Sequence, residues 1–242
     1  MAWEYLIDGL TGAAGLVTSG NKQLFDIAFR SIKVSGIAAM LAALIGVPLG
    51  VVIGLSSFRG KSLIKSVFNA MLGIPTVVMG LILYLFLAPA GPLGLLGLLY
   101  TEMGISFGQM LLILPIVVSF TANSIESVEG ELRDLVLTLG ASRIQVMVKV
   151  VEEAVSGIVL SVIAAFNRAI AELGIALMVG GNIFVKGGEL NTRVLTTSIQ
   201  MYVARGEIEF AIALGTILLA IVFAVTALSN YLQRKWMLND QA

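Results

Sequence analysis

Five apolar stretches constrain this chain more than any other feature. They occupy residues 34–58, 66–90, 103–125, 154–179 and 210–231, and the first and last carry no charge at all. At about 1.5 Å of rise per residue, roughly twenty helical residues match a hydrocarbon core of about 30 Å. The pattern predicts an all-α polytopic membrane protein with five transmembrane helices, or six if residues 3–20 also insert. The 242 residues are 58% hydrophobic and 12% charged, about half the charged share of a soluble domain. Fifteen basic and fifteen acidic residues cancel, so net charge implies no polyanion surface and no nucleic-acid partner. His and Cys are absent. That excludes disulfides, thiolate chemistry, the usual zinc sites and the commonest general base, and neither a catalytic residue nor a metal site is expected.

The ends frame the spans. Glu4 and Asp8 stand where a cleavable leader would carry bases. Trp3, Tyr5, Leu6, Ile7 and Leu10 read as a short helix at the interface or as a loosely packed tail, so residues 1–28 are expected to be an N-terminal interfacial segment. Residues 29–235 form the membrane domain, and 236–242 a tail behind the anchor Arg234, Lys235 and Trp236. Glycines and prolines at 46, 48, 50, 73, 75, 80 and 115 read as packing and bending devices. Placing the C-terminus in the cytoplasm gathers Arg59, Lys61, Lys65, Arg133, Arg143, Lys149, Arg234 and Lys235 inside. The 89–102 connector outside then has no base. The expected orientation in the cell membrane is N-terminus outside and C-terminus cytoplasmic.

Residues 126–150 are the most polar segment. Leu132, Leu135, Val136 and Leu139 repeat at three and four, which gives a helix one apolar face. Gly140 suits a left-handed helix end, and Ser142 with Gln145 spells a capping box. The spacing predicts two short amphipathic helices joined by a tight turn, with Glu131, Asp134, Leu135, Leu139, Gly140, Ala141, Ser142 and Arg143 as a docking segment for a cytoplasmic partner. A plain surface loop is the alternative.

Within the spans, Arg168 and Glu172 are spaced i, i+4, as an ion pair between helical turns would be, or as charges facing a polar cavity. Gly180-Gly181-Asn182-Ile183 offers backbone N–H groups to a tetrahedral oxyanion, or is an ordinary helix end. Thr192, Arg193, Thr196, Thr197 and Ser198 open a short helix reaching Ala204. Gln109 and Asn167 are lone polar groups suited to bonds across helices.

Several ordered segments carry a resemblance: Pro48-Leu-Gly50, Gly73-Ile-Pro-Thr-Val-Val-Met-Gly-Leu81, Gly91-Pro-Leu-Gly94, Gln109 with Leu114-Pro-Ile-Val117, Phe166-Asn-Arg-Ala-Ile-Ala-Glu-Leu-Gly174, Met178-Val-Gly-Gly-Asn-Ile183 and Thr192-Arg-Val-Leu-Thr-Thr197. With Asp134-Leu-Val136 and Gly140-Ala-Ser-Arg143, the chain resembles the membrane permease subunits of ATP-binding-cassette importers with the type I permease fold. It is most similar to the branch that handles tungstate and molybdate. Two alanines of that family's cytoplasmic signature are absent, and Glu153 stands where most members place a proline.

The resemblance implies a second copy of the chain, two ATP-binding-cassette ATPase subunits gripping the 126–150 segment, and an extracytoplasmic oxyanion-binding protein. It implies ATP and Mg on the partner ATPase and no cofactor on this chain, which lacks a GxxxxGK[ST] loop. Thr76, Asn167, Arg168, Glu172, Gly181, Asn182 and Thr196 are the candidate path residues. A membrane scaffold with a cytoplasmic docking helix, needing no ATP, is the other reading.

Overall fold

The computed structural model describes residues 2–138, 141–185 and 191–239, with side chains outside 2–6, 8, 129–138, 232 and 234–239. Helix α1 (Ala2–Thr18) ends where the Thr18 and Ser19 hydroxyls bond back to the carbonyls of Ala14 and Leu16. Asn21 then caps α2 (Lys22–Leu55), its side-chain oxygen accepting from the Leu24 N–H at 3.3 Å. α3 (Lys61–Met71) and α4 (Thr76–Leu87) follow, then a 3₁₀ turn at Gly94–Leu96. α5 (Glu102–Thr138), α6 (Arg143–Glu153), α7 (Val155–Ile170), α8 (Gly174–Gly180), α9 (Leu195–Ala204) and α10 (Ile208–Asn239) complete the order. Among the described residues, three helices are long and apolar enough to cross a membrane, and five if each broken pair, α3 with α4 and α7 with α8, counts as one span.

Three expectations change. The 66–90 stretch is not one helix. Three successive N–H groups, from Leu72 to Ile74, turn to carbonyls three residues back, and Pro75 takes the extended conformation. A proline disfavours helical geometry in the residue before it. The 154–179 stretch is likewise broken after Ile170. The amphipathic run from Glu131 to Thr138 is not a separate short helix but the continuation of α5, which runs 37 residues without interruption. Leu139 and Gly140, where the tight turn is expected, lie outside the described residues, as do the side chains of Glu131, Asp134 and Leu135.

The chain divides into two compact units, and α2, α5, α7 and α10 contribute residues to both. The first comprises Met1–Ala38, Pro75–Gln109 and Asn167–Val225. Its core joins Leu24, Ile27 and Ala28 of α2 to Leu195 and Tyr202 of α9 and Ala211, Ala213 and Leu214 of α10. Ala13 of α1 packs into the same cluster, so the N-terminal segment is a helix docked on the protein. The second unit comprises Ala39–Ile74, Met110–Phe166 and Thr226–Ala242. There Gly46, Gly50 and Gly54 of α2, spaced by four, face Val117, Thr121 and Ile125 of α5. Small residues at that spacing bring two backbones into close contact, which replaces the hydrophobic drive that helices lack in lipid.

Candidate functional site

The candidate path residues Thr76, Asn167, Arg168, Glu172, Gly181, Asn182 and Thr196 all fall in the first unit. There side chains hold the break between α7 and α8, beside a backbone bond from the Glu172 N–H to the Ala169 carbonyl at 3.1 Å. Glu172 is 2% exposed, and its carboxylate turns back onto the start of α8, accepting from the Gly174 N–H at 2.8 Å and the Ile175 N–H at 2.9 Å. A carboxylate there satisfies donors that the helix cannot satisfy itself and meets the positive end of its dipole. Thr196 Oγ1, on α9, donates to the Glu172 carbonyl at 2.7 Å. Gln109, on α5, donates to the Ala169 carbonyl at 2.9 Å and accepts from Ser35 Oγ at 3.1 Å. The bonds of Glu172, Thr196 and Gln109 reach backbone groups at the break, and Ser35 holds Gln109 in place.

The i, i+4 reading of Arg168 and Glu172 does not hold. The helix ends at Ile170, so the spacing loses its meaning. Glu172 turns inward to cap α8, Arg168 is exposed at the last turn of α7, and among the described residues no ion pair joins them.

Thr76 begins α4 directly over α8. A Cβ on Gly174 would come within 2.9 Å of the Val77 nitrogen and 3.0 Å of Thr76 Oγ1, while one on Gly80 would meet the Gly174 carbonyl at 3.0 Å. Two glycines thus bring the backbones of α4 and α8 together. At its other end α8 stops at Gly181, whose φ of 67° is left-handed. A Cβ at Gly181 would also strike the Tyr100 ring at 2.7 Å, so only glycine fits. Asn182 follows with φ 51°, a conformation that asparagine tolerates better than most residues.

Two backbone N–H groups of this turn have acceptors within the protein. Gly181 N donates to Leu177 and Ile183 N to Thr192 Oγ1. Thr192 in turn donates to the Gly180 carbonyl at 2.6 Å. Arg193, which follows it, places its guanidinium 4.7 Å from the Phe184 ring centre, and burial pushes its pKa down. Beside it Arg30 donates to the Arg193 carbonyl and to Glu102, which also holds Lys33.

The segment expected to dock a partner falls in the second unit. Ser142 and Gln145 form the capping box that the sequence spells. The Ser142 N–H donates to Gln145 Oε1 at 2.8 Å, and Ser142 Oγ accepts from the Gln145 N–H. Arg143 opens α6 and is exposed, and Ala141 packs against the cluster beneath. Val146 and Val150 face inward onto Ile125 and Ala154. Ile144, Met147 and Val148 lie on another side of α6 and are 74%, 46% and 50% exposed. Sequence reasoning passed over these three, although their spacing of three and four carries the signal. α6 therefore has two apolar sides, one covered by its own unit and one bare. Lys149, on the outer side, has its pKa raised by the hydrogen bond it donates to Glu152.

Comparisons with known proteins identify the family. Residues 46–237 match the family described as binding-protein-dependent transport system inner membrane component. A tungstate uptake system permease protein of Peptoclostridium acidaminophilum is 38% identical over 96% of this chain and 100% of its own length. A probable anion ABC transporter permease protein of Haloferax volcanii is 42% identical over 85% of this chain and 88% of its own. Among solved structures, the MetNI methionine ABC transporter matches with a TM-score of 0.65 at 14% identity, covering 88% of this chain and 95% of that one. The chain belongs to the binding-protein-dependent transport system inner membrane component family, as a multi-pass transport permease of an ABC importer.

Proposed function

We propose that this permease carries tungstate, and molybdate as its near isostere, into the cell. The substrate reading is supported by the full-length similarity to a tungstate uptake permease. Two copies of the chain form the route, an extracytoplasmic binding protein delivers the anion, and two ATPase subunits holding ATP and Mg drive the cycle. The N-terminus lies outside and the C-terminus in the cytoplasm. The observation that carries the mechanism is the bare apolar side of α6, Ile144, Met147 and Val148. A motor seated there pushes on a capped helix whose other side grips Ile125 of α5, so force enters a continuous 37-residue rod. Glu131, Asp134, Leu135, Leu139 and Gly140 precede α6 in the sequence and belong to the same proposed docking segment. In the first unit, Thr76, Asn167, Arg168, Gly181, Asn182 and Thr196 line or shape the path, and Glu172 acts on it by holding the α7–α8 break. No bond of the oxyanion changes.

The test is reconstitution. Vesicles containing the chain, its neighbouring ATPase and the binding protein take up tungstate only with ATP. Met147→Asp strips the ATPase from the purified complex without moving the thermal transition of the chain itself. Uptake without nucleotide, or sulfate carried in preference to tungstate, sinks the proposal. An ATPase that never co-purifies favours a scaffold instead.

A further inference from the structure

The second unit carries a cluster of bases for which the transport cycle gives no task. At 100° per residue, α3 sorts Lys61, Ser62, Lys65, Ser66 and Asn69 onto one arc and Leu63, Ile64, Val67, Phe68 and Met71 onto the other. Phe68 packs against the cluster of Ile53, Val118 and Ala122. Otherwise α3 buries nothing: none of its residues is fully covered, Leu63 is 70% exposed and Val67 51%. The helix is thus seated on its unit by one phenyl ring and by its charged edge, with most of its apolar arc turned outward.

That edge holds more positive charge than its partner neutralises. Lys61 Nζ lies 3.0 Å from Glu126 Oε1 and donates to the Gly54 carbonyl at 2.9 Å. Lys65 donates to Oε2 of the same carboxylate. Two ammonium groups share one acid, and the neighbouring Arg59 is exposed with no carboxylate partner among the described residues. A hollow of about 570 Å³ opens beside Lys61, Ser62, Lys65, Ser66 and Asn69, with Glu126 also in its wall. Surplus positive charge, hydroxyl and amide donors, and a bare apolar arc lie side by side. A free phosphate would use only the first two. A zwitterionic lipid brings no net charge to meet the surplus. An anionic phospholipid answers all three at once.

We infer that the α3 elbow is a binding site for an anionic phospholipid of the leaflet at which α6 emerges. Arg59, Lys61 and Lys65 hold its phosphodiester, and its acyl chains lie against Leu63 and Val67. Glu126 competes with the headgroup for the same two ammonium groups, so it sets the strength of the site from within. Each base near such a surface contributes about a fivefold gain in binding.

Native mass spectrometry of the complete transporter, titrated separately with phosphatidylglycerol and phosphatidylcholine, tests this. The wild type retains phosphatidylglycerol over phosphatidylcholine. Lys65→Gln lowers that retention about fivefold, whereas Glu126→Gln raises it. The opposite signs are the decisive feature: Lys65→Gln breaks one of the two ion pairs to Glu126 and Glu126→Gln breaks both, so a purely structural role moves both variants in the same direction. Equal retention of the two lipids, changes of the same sign, or binding of inorganic phosphate in place of lipid overturns the inference. So does a finding that the ATPase or the second copy, rather than lipid, shields α3 from labelling in the intact complex.

Discussion

The two units hold their helices by contrasting means. In the first, polar side chains reach the backbone at helix breaks: Glu172 to Gly174 and Ile175, Gln109 to Ala169, Thr196 to Glu172, Thr192 to Gly180. In the second, α2 lies against α5 through Gly46, Gly50 and Gly54, and a Lys61–Glu126–Lys65 cluster ties α3 to α5. A broken helix frees backbone groups that lipid cannot satisfy, so each must find a protein partner. An unbroken helix needs only close contact. Irregular backbone inside a membrane is tolerated where it is buried in protein or lines a cavity, which is why the first unit suits a substrate path. Uninterrupted rods in tight register suit the second to passing on a push.

The largest expected effect comes from removing the buried carboxylate. Glu172→Ala leaves two buried N–H groups without an acceptor. At roughly 1–3 kcal/mol for each such group, the loss is about 2–6 kcal/mol. Thermal unfolding of the purified chain in detergent measures it. A shift no greater than that of a surface substitution would mean that the break is not held from within, and the contrast between the units would fail.

Next in size is overpacking of the second unit. A Cβ on Gly50 would stand 2.6 Å from Thr121 Cβ and 2.8 Å from the Val118 carbonyl, and backbone cannot retreat as a side-chain tip can. Gly50→Leu should cost about 1–3 kcal/mol or more. Gly36 lies on the same helix with nothing within 4 Å of its Cβ position, so Gly36→Leu should stay within about 0.5 kcal/mol. Equal effects at the two positions would dismiss the close contact as the source of stability.

A smaller effect tests the joint itself. Ser142→Ala removes the cap of α6 and should cost about 1 kcal/mol. Because Gln145 N donates to Ser142 Oγ, faster hydrogen exchange confined to the first turn of α6 is the expected signature. Exchange unchanged at Gln145 would show that the box is ornamental.

Much of this was legible in the residues, and what was not has a physical cause. Uncharged runs announce bilayer-spanning helices because lipid excludes charge, and the Ser142–Gln145 spacing announced a cap that the structure contains. The length of α5 was hidden, since the polar residues after Ile125 report a change of solvent and not the end of a helix. α1 was obscured in the same way: Glu4, Asp8 and its glycines interrupt the apolar run, yet the segment is helical and packs by Ala13. The break before Gly174 carries no proline. It depends on where Glu172 points, which only its tertiary partners decide.

Arg168 gives the smallest effect on stability and the sharpest reading of the first unit. Were it the partner of Glu172, Arg168→Gln would leave a buried carboxylate without its counter-charge and destabilise the chain about as much as Glu172→Ala. The structure gives that carboxylate two backbone donors instead and leaves the guanidinium exposed. Arg168→Gln should therefore change the unfolding free energy by less than about 0.5 kcal/mol, with the complex assembled as before. Under the proposed path its cost should fall on transport, because a cation at the end of α7 beside the break would attract a divalent oxyanion. Uptake should drop several-fold and recover in part with Arg168→Lys, since charge and not the planar fork is what attraction at a distance requires. Loss of assembly in Arg168→Gln would return the residue to a structural role. Unchanged uptake would remove it from the path while leaving Glu172 as the clamp of the break.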